Sequence, residues 1–150
     1  MTDSISKEQR SKNMAAIHSK NTKPELYIRK LLFARGYRYR ICSSKIPGRP
    51  DIYLRKYNTA IFINGCFGHH HAGCKYASMS KTNVDYWQKK FTNNIEHDNR
   101  IKEQLETLGV RQLVVWECTV KKMQHDDDIR DAELKVIKSF MLSDKQYEEI

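Results

Sequence analysis

The hydrophobic residues of this chain fall into two kinds of pattern, stripes at helical spacing and short apolar runs bounded by turn residues. Ser6 with Gln9, ahead of Met14 and Ile17, resembles a capping box that opens a short basic helix. A second box, Thr22 with Glu25, predicts a helix whose first turn tolerates Pro24. Its apolar stripe is Leu26, Leu31 and Leu32, and Gly36 ends it. From Tyr37 to Ile41, aromatic and β-branched residues alternate with Arg38 and Arg40, which predicts a strand with one basic face.

Pro47-Gly48-Arg49-Pro50 cannot continue a helix and predicts a rigid turn that places Asp51 at the mouth of a strand, Ile52-Tyr53-Leu54. A hairpin turn at Lys56 to Asn58 leads into Ala60-Ile61-Phe62-Ile63, which is apolar on both faces and ends at Gly65, as a central covered strand would. Residues 66 to 82 lack apolar periodicity and are expected to form a loop. Thr82 and Asp85 then open the longest helix. Its apolar positions Trp87, Phe91, Ile95, Ile101, Leu105 and Leu108 track one face as far as Gly109. Val110 to Trp116 reads as another buried strand. A last amphipathic helix follows Asp126, Asp127 and Asp128, acids suited to the positive end of its dipole, and turns Ile129, Ile137, Phe140 and Met141 inward. The order ααβββαβα implies a mixed sheet with helices on its faces, in a single α/β domain over residues 1–150.

Composition narrows the function classes. At 150 residues, 39% hydrophobic and 30% charged, the chain is long enough for a core without disulfide staples and is not of disordered type. It has no apolar run long enough to span a bilayer and no secretory leader, so a cytoplasmic location and no membrane partner are expected. The formal charge of +9 is unevenly placed: residues 1–50 carry +9, residues 51–100 carry +3 and residues 101–150 carry −3. A basic front with residues 1–20 as a helical arm, and a mildly acidic back, is the asymmetry of a protein that meets nucleic acid with one side.

Three of the four cysteines fall in the 66–82 loop or just beyond the last strand. Cys66, His71 and Cys74 are spaced C-x4-H-x2-C, and Cys118 follows Trp116. Three thiolates and an imidazole make a closed tetrahedral set suited to structural Zn²⁺, with Cys42 left as a free thiol. A reducing compartment disfavours a disulfide, and the alternative is a set of small apolar core residues. His69 or His70 could replace His71 as the fourth ligand. Asp51 and His69 suggest a second kind of site, because a carboxylate at a sheet edge beside an imidazole is suited to Mg²⁺-assisted phosphodiester hydrolysis. Asp51 would hold the metal, and His69 would accept a proton from water. Taken singly, an Asp that caps a turn and a His exposed on a loop are the simpler readings.

With those residues in view, the sequence strongly resembles the very short patch repair (Vsr) endonucleases over roughly residues 7 to 120. The resemblance rests on Arg10-Ser11-Lys12-Asn13-Met14, Thr22 to Glu25, Pro47 to Asp51, Ile61-Phe62 with Gly65-Cys66-Phe67, and His69 to His71. It continues through Trp87, Asn94, Glu96, Asp98 and Val114-Val115-Trp116-Glu117-Cys118. It implies a fold like that of type II restriction enzymes, with a mixed central sheet, flanking helices and a zinc loop. It also implies nicking of one DNA strand 5′ of the thymine in a T:G mismatch. Carried over by position, Asp51 and the backbone carbonyl of Ile63 would bind Mg²⁺, and His69 would be the catalytic histidine. Glu25 and Asp98 would be auxiliary acids, and Cys66, His71, Cys74 and Cys118 the zinc ligands. Phe67 and Trp87 would be aromatic wedges with Met14 opposite them, a device that unstacks DNA most easily where pairing is weak. Lys12, Arg49, Lys89 and Lys90 would meet phosphates.

Two positions depart from the family pattern: Gly68 replaces an aromatic after Phe67, and Asn64 replaces an auxiliary His. Gly68 raises the alternative of a nickase for other distorted or modified DNA. A non-catalytic zinc-stabilised DNA-binding module is the third reading. A monomer is expected, since one nick needs one site, and recruitment by repair proteins is left open.

Overall fold

A computed structural model describes residues 22–41, 43–67, 69–77 and 81–150. The expected basic arm over 1–20 with Lys12 and Met14, the free thiol Cys42, and Gly68 lie outside the described residues.

Among the described residues, four strands form one sheet in the order β1-β2-β3-β4, namely Ile52–Leu54, Thr59–Asn64, Arg111–Trp116 and Tyr147–Glu149. β1 runs antiparallel to β2, while β2, β3 and β4 run parallel to one another. The helices are α1 (Lys23–Ala34), α2 (Val84–Leu108), α3 (Glu117–His125) and α4 (Asp127–Leu142). The mixed sheet with helices on both faces is the α/β architecture that the sequence pattern predicts, and it fits the restriction-endonuclease-like fold that the family resemblance implies.

Alternation along the strands divides the core in two. Ile52, Leu54, Ile61, Leu113 and Val115 pack with Ile28 and Leu32 of α1, Val120 and Met123 of α3, and Ile137 and Phe140 of α4. On the opposite face Ala60 and Phe62 pack against Leu105 and Ile101 of α2. β2 and β3 are therefore covered on both faces over most of their length, as continuous apolar runs require. α2 turns polar towards its N-terminal half and leaves a cleft between itself and the ends of β2 and β3. The cleft measures about 1130 Å³.

Local signals account for most of the boundaries. The Thr22 hydroxyl accepts from the Glu25 amide at the start of α1, and the Asp126 carboxylate accepts from the amides of Asp128 and Ile129 at the start of α4. Gly109 closes α2 in the left-handed conformation at φ 72°. The other end of that helix lies one residue later than a cap at Thr82 would place it. α2 begins at Val84 after Asn83, which adopts φ 52° and makes no side-chain cap.

The structure departs from the pattern-based expectation in four further places. Residues 37–41 make a single bridge, Arg40 to Tyr53, rather than a strand. Side chains anchor this segment instead: the Tyr39 hydroxyl donates to the Arg29 carbonyl and the Arg38 guanidinium to the Phe33 carbonyl. Leu26 is half exposed, and Ile28 takes its place in the buried stripe with Leu32. α3 and β4 were not expected. α3 continues directly from β3 and has only Val120 and Met123 buried, too few positions to show a period. β4 carries Glu148 and Glu149 and is held by pairing with β3 rather than by an apolar face.

Candidate active site

The turn at 47–50 aims Asp51 into the cleft. Gly48 adopts φ 81°, and a Cβ added there would lie 2.6 Å from Ile101 Cγ2, so neither the backbone nor the space tolerates a side chain. Arg49 follows at φ 47°, a left-handed conformation that costs a non-glycine residue energy and is typical of sites whose geometry is imposed by their surroundings. The Asp51 carboxylate then accepts a 2.7 Å hydrogen bond from the backbone N–H of Ile63. The carboxylate therefore sits beside the end of β2, next to the residue whose carbonyl the sequence nominated as a metal ligand.

Glu25, on the first turn of α1, faces the same point. Burial pushes the pKa of Asp51 up to about 7 against the pull of the Ile63 amide, and the neighbouring Glu25 carboxylate raises it further. Arg29, one turn along α1, opposes that shift and is itself buried, with its guanidinium 3.0 Å from Glu25 Oε2. Two adjacent acids with oxygen-only donors, strained by burial, fit a hard divalent cation. Such a cation would offset the burial, and the smaller repulsion from Glu25, that hold the proton on Asp51.

His69 lies across the cleft. Its Nδ1 is 2.7 Å from Asp98 Oδ2 on α2, and both side chains are about one-third exposed. A carboxylate that fixes one ring nitrogen leaves the other free to take a proton, the arrangement expected of a general base. Asp51, Glu25, His69 and Asp98 line one cleft together with Asn64. The solvated-helix reading of Asp98 does not survive its contact with His69.

The cysteine cluster sits under the same loop. Cys66, His71, Cys74 and Cys118 each offer a ligand atom within 4.8 Å of the others. Burial pushes the Cys66 thiol up to about 12, so without a cation this side chain stays protonated. Three sulfurs and one imidazole nitrogen at this spacing fit a soft tetrahedral metal site. The histidines divide cleanly: His71 joins the cysteines, His69 pairs with Asp98, and His70 stacks on Phe91 at 4.7 Å. Turn hydrogen bonds from His69 to the Gly65 carbonyl and from His71 to the Cys66 carbonyl hold these three directions apart.

Phe67 and Trp87 meet edge to face at 5.1 Å, with Phe91 behind them and Tyr86 beside them. Trp87 is therefore part of a half-exposed aromatic cluster rather than of the sheet core. Lys89 and Lys90 are exposed on the same helix, and the Lys90 ammonium lies 5.3 Å from the Trp87 ring centre. Arg49 is exposed at the cleft edge.

Comparison with known proteins gives the family. Residues 2–75 match the family described as DNA mismatch endonuclease Vsr. The chain is 46% identical over 121 residues to a type II nicking enzyme, V.NmeAIP, of Neisseria meningitidis, covering 81% of this chain and 86% of that one. It is 39% identical over 121 residues to the DNA mismatch endonuclease Vsr of Escherichia coli, covering 81% and 77%. The chain belongs to the Vsr family. It is likewise 39% identical over 123 residues to the nicking enzyme V.XorIIP of Xanthomonas oryzae, covering 82% and 90%.

In this Vsr-family chain, sequence reasoning missed Arg29 and Trp116. Arg29 looked like one more basic residue on an amphipathic helix. The Glu25-x3-Arg29 spacing, which places the two charges on one face, was the available signal. Trp116 is buried, stacks on the His71 ring at 4.0 Å and 3°, and approaches the His69 ring edge to face at 6.5 Å. At the end of an apolar strand it had the look of core.

Proposed function

We propose that this protein is a Mg²⁺-dependent DNA endonuclease that nicks one strand on the 5′ side of the thymine in a T:G mismatch, with Zn²⁺ bracing its active-site loop. The observation that carries the reading is the convergence of Asp51, Glu25 and the His69–Asp98 pair on one cleft, in a chain of the Vsr family.

In this reading Asp51 and the Ile63 carbonyl would hold Mg²⁺, with Glu25 as a further acid beside them. Mg²⁺ supplies Lewis-acid polarisation of the scissile phosphate. His69 takes the proton of the attacking water, and Asp98 keeps the ring in the tautomer and direction this requires. Cys66, His71, Cys74 and Cys118 hold Zn²⁺. The DNA faces Arg49, Lys89, Lys90 and the basic arm with Lys12. Phe67 and Trp87 wedge into the duplex beside the mismatch, opposite Met14, at a cost of a few kcal/mol per unstacked step. The whole chain acts as a single domain and a monomer.

The test is cleavage of a strand-labelled T:G duplex with Mg²⁺, run beside Asp51→Ala and His69→Ala. The expected result is one nick, 5′ of the mismatched thymine, with both variants inactive yet still able to bind duplex. Equal rates on T:G, matched and other mispaired duplexes would replace mismatch specificity with the broader nickase that Gly68 suggests. Equal inactivity of all three proteins, with duplex binding retained, would leave a DNA-binding module.

A further inference from the structure

Strand β4 reaches the reaction cleft although no part of the candidate chemistry was expected from it. It pairs with β3 in parallel, Gln112 opposite Tyr147 and Val114 opposite Glu149, and this register turns Tyr147 and Glu149 towards the cleft with Gln112, Val114 and Trp116. Their side chains do more than line the wall. The Trp116 indole N–H donates to Glu149 Oε1 at 3.3 Å. The Lys102 ammonium lies 3.7 Å from the Tyr147 ring centre.

Trp116 is the link to the chemistry. Its ring is the flat surface on which His71 stacks and towards which the His69 ring stands on edge. An indole has one polar handle, and in Trp116 the Glu149 carboxylate accepts from it, so this contact fixes how the ring sits. Asp98 controls His69 at Nδ1, whereas Trp116 limits the tilt of the ring as a whole. Asp98 and Lys102 are one turn apart on α2, so β4 also braces the helix that supplies the carboxylate partner.

We propose that Glu149 is a positioning residue for the active site, holding the Trp116 indole in the orientation that sets the His69 ring in place. The inference rests on the nuclease reading for its kinetic consequence but not for its structural one. Glu149 holds the indole from the cleft wall, so its loss should lower the rate of the chemical step more than it changes duplex binding. Partners of this indirect kind are worth about 10-fold or more in rate.

The experiment compares wild type, Glu149→Ala, Glu149→Gln, Trp116→Phe and the Glu149→Ala/Trp116→Phe double variant, all loaded with Zn²⁺. With a T:G duplex and Mg²⁺, Glu149→Ala is expected to lose about 10-fold in kcat, with KM for duplex and zinc content changed less than twofold. Glu149→Gln, whose amide oxygen still accepts from the indole, should keep most of the rate. The double variant should be no slower than the slower single one, as expected of two groups that act through one contact. A readout independent of activity is the ¹H–¹⁵N spectrum. The Trp116 indole resonance and the His69 ring resonances should shift together in Glu149→Ala and stay near wild type in Glu149→Gln.

Unchanged His69 resonances in Glu149→Ala would overturn the proposal. So would equal rate losses in the Ala and Gln variants, or additive losses in the double variant. A wild-type protein that fails to nick any duplex would instead defeat the nuclease reading, and the spectra would still decide what Glu149 does.

Discussion

Substitution of Gly48 by alanine tests whether the turn before Asp51 is as tight as the structure makes it. Two costs apply. The left-handed backbone at φ 81° penalises any Cβ by about 1 to 2 kcal/mol. The Cβ itself would fall 2.6 Å from Ile101 Cγ2 and 3.1 Å from the Phe62 ring, and overpacking of that kind costs about 1 to 3 kcal/mol more. Gly109 supplies the control. It has φ 72° and nothing within 4 Å of an added Cβ, so Gly109→Ala carries the backbone cost alone. Urea denaturation should therefore place Gly48→Ala about 2 to 5 kcal/mol below wild type and Gly109→Ala about 1 to 2 kcal/mol below. The active site should feel the difference too. Unless Ile101 and Phe62 both give way, the turn must move, and Asp51 is three residues away. A displacement of about 1 Å at such a carboxylate is worth about 100-fold in rate, whereas Gly109→Ala should stay within about twofold of wild type. Equal stabilities for the two alanine variants would refute the close packing of the turn. A stable Gly48→Ala protein with full nicking activity would refute its role in aiming Asp51.

Three other outcomes follow from the same geometry. Burial raises the folded-state pKa of Asp51 to about 7, above the ordinary carboxylate value, so the folded protein binds this proton more tightly than the unfolded chain does. That contribution is complete below about pH 4 and is lost as pH rises to about 7. Stability of the Mg²⁺-free protein minus that of Asp51→Asn, followed by urea denaturation, should fall by a few kcal/mol across this window, and a flat difference would contradict the burial argument. Zinc binding to the cluster should release about three protons at neutral pH, one per thiol, measurable by calorimetry in buffers of different ionisation enthalpy; Cys118→Ser should release one fewer and expose the 69–77 loop to proteolysis. Trp87→Ala should lower the preference for T:G over matched duplex by about 1 to 3 kcal/mol, the worth of one stacked ring, and an unchanged preference in competition cleavage would remove Trp87 from the wedge.

Where the sequence was readable, one physical cause dominated. β2 and β3 showed as continuous apolar runs because both faces are covered, and the 47–50 turn showed because two prolines and a glycine permit little else. Cys66, His71 and Cys74 showed because ligand spacing is a covalent property of a short loop, whereas Cys118 comes from beyond the far end of β3 and spacing alone left His69, His70 and His71 as alternatives. The rest depended on partners far away in the chain. Residues 37–41 have strand-like alternation but pair once, since side-chain anchors to α1 occupy the segment instead. β4 has no apolar pattern, and its place is set by the edge of β3. Arg29 was equally hidden, and Asp98 was legible only through the family resemblance. Each reads as a solvated helix charge until His69 and Glu25 are seen opposite them.

The central claim is that Asp51 and His69 serve one metal-assisted phosphate site. Mn²⁺ as a paramagnetic stand-in for Mg²⁺ tests it most directly, by titration into Zn²⁺-loaded protein labelled at its histidine rings. The account predicts selective broadening of the His69 ring resonances at low Mn²⁺, abolished in Asp51→Asn. Broadening that survives the substitution, or that leaves His69 sharp while Mn²⁺ binds elsewhere, would contradict it.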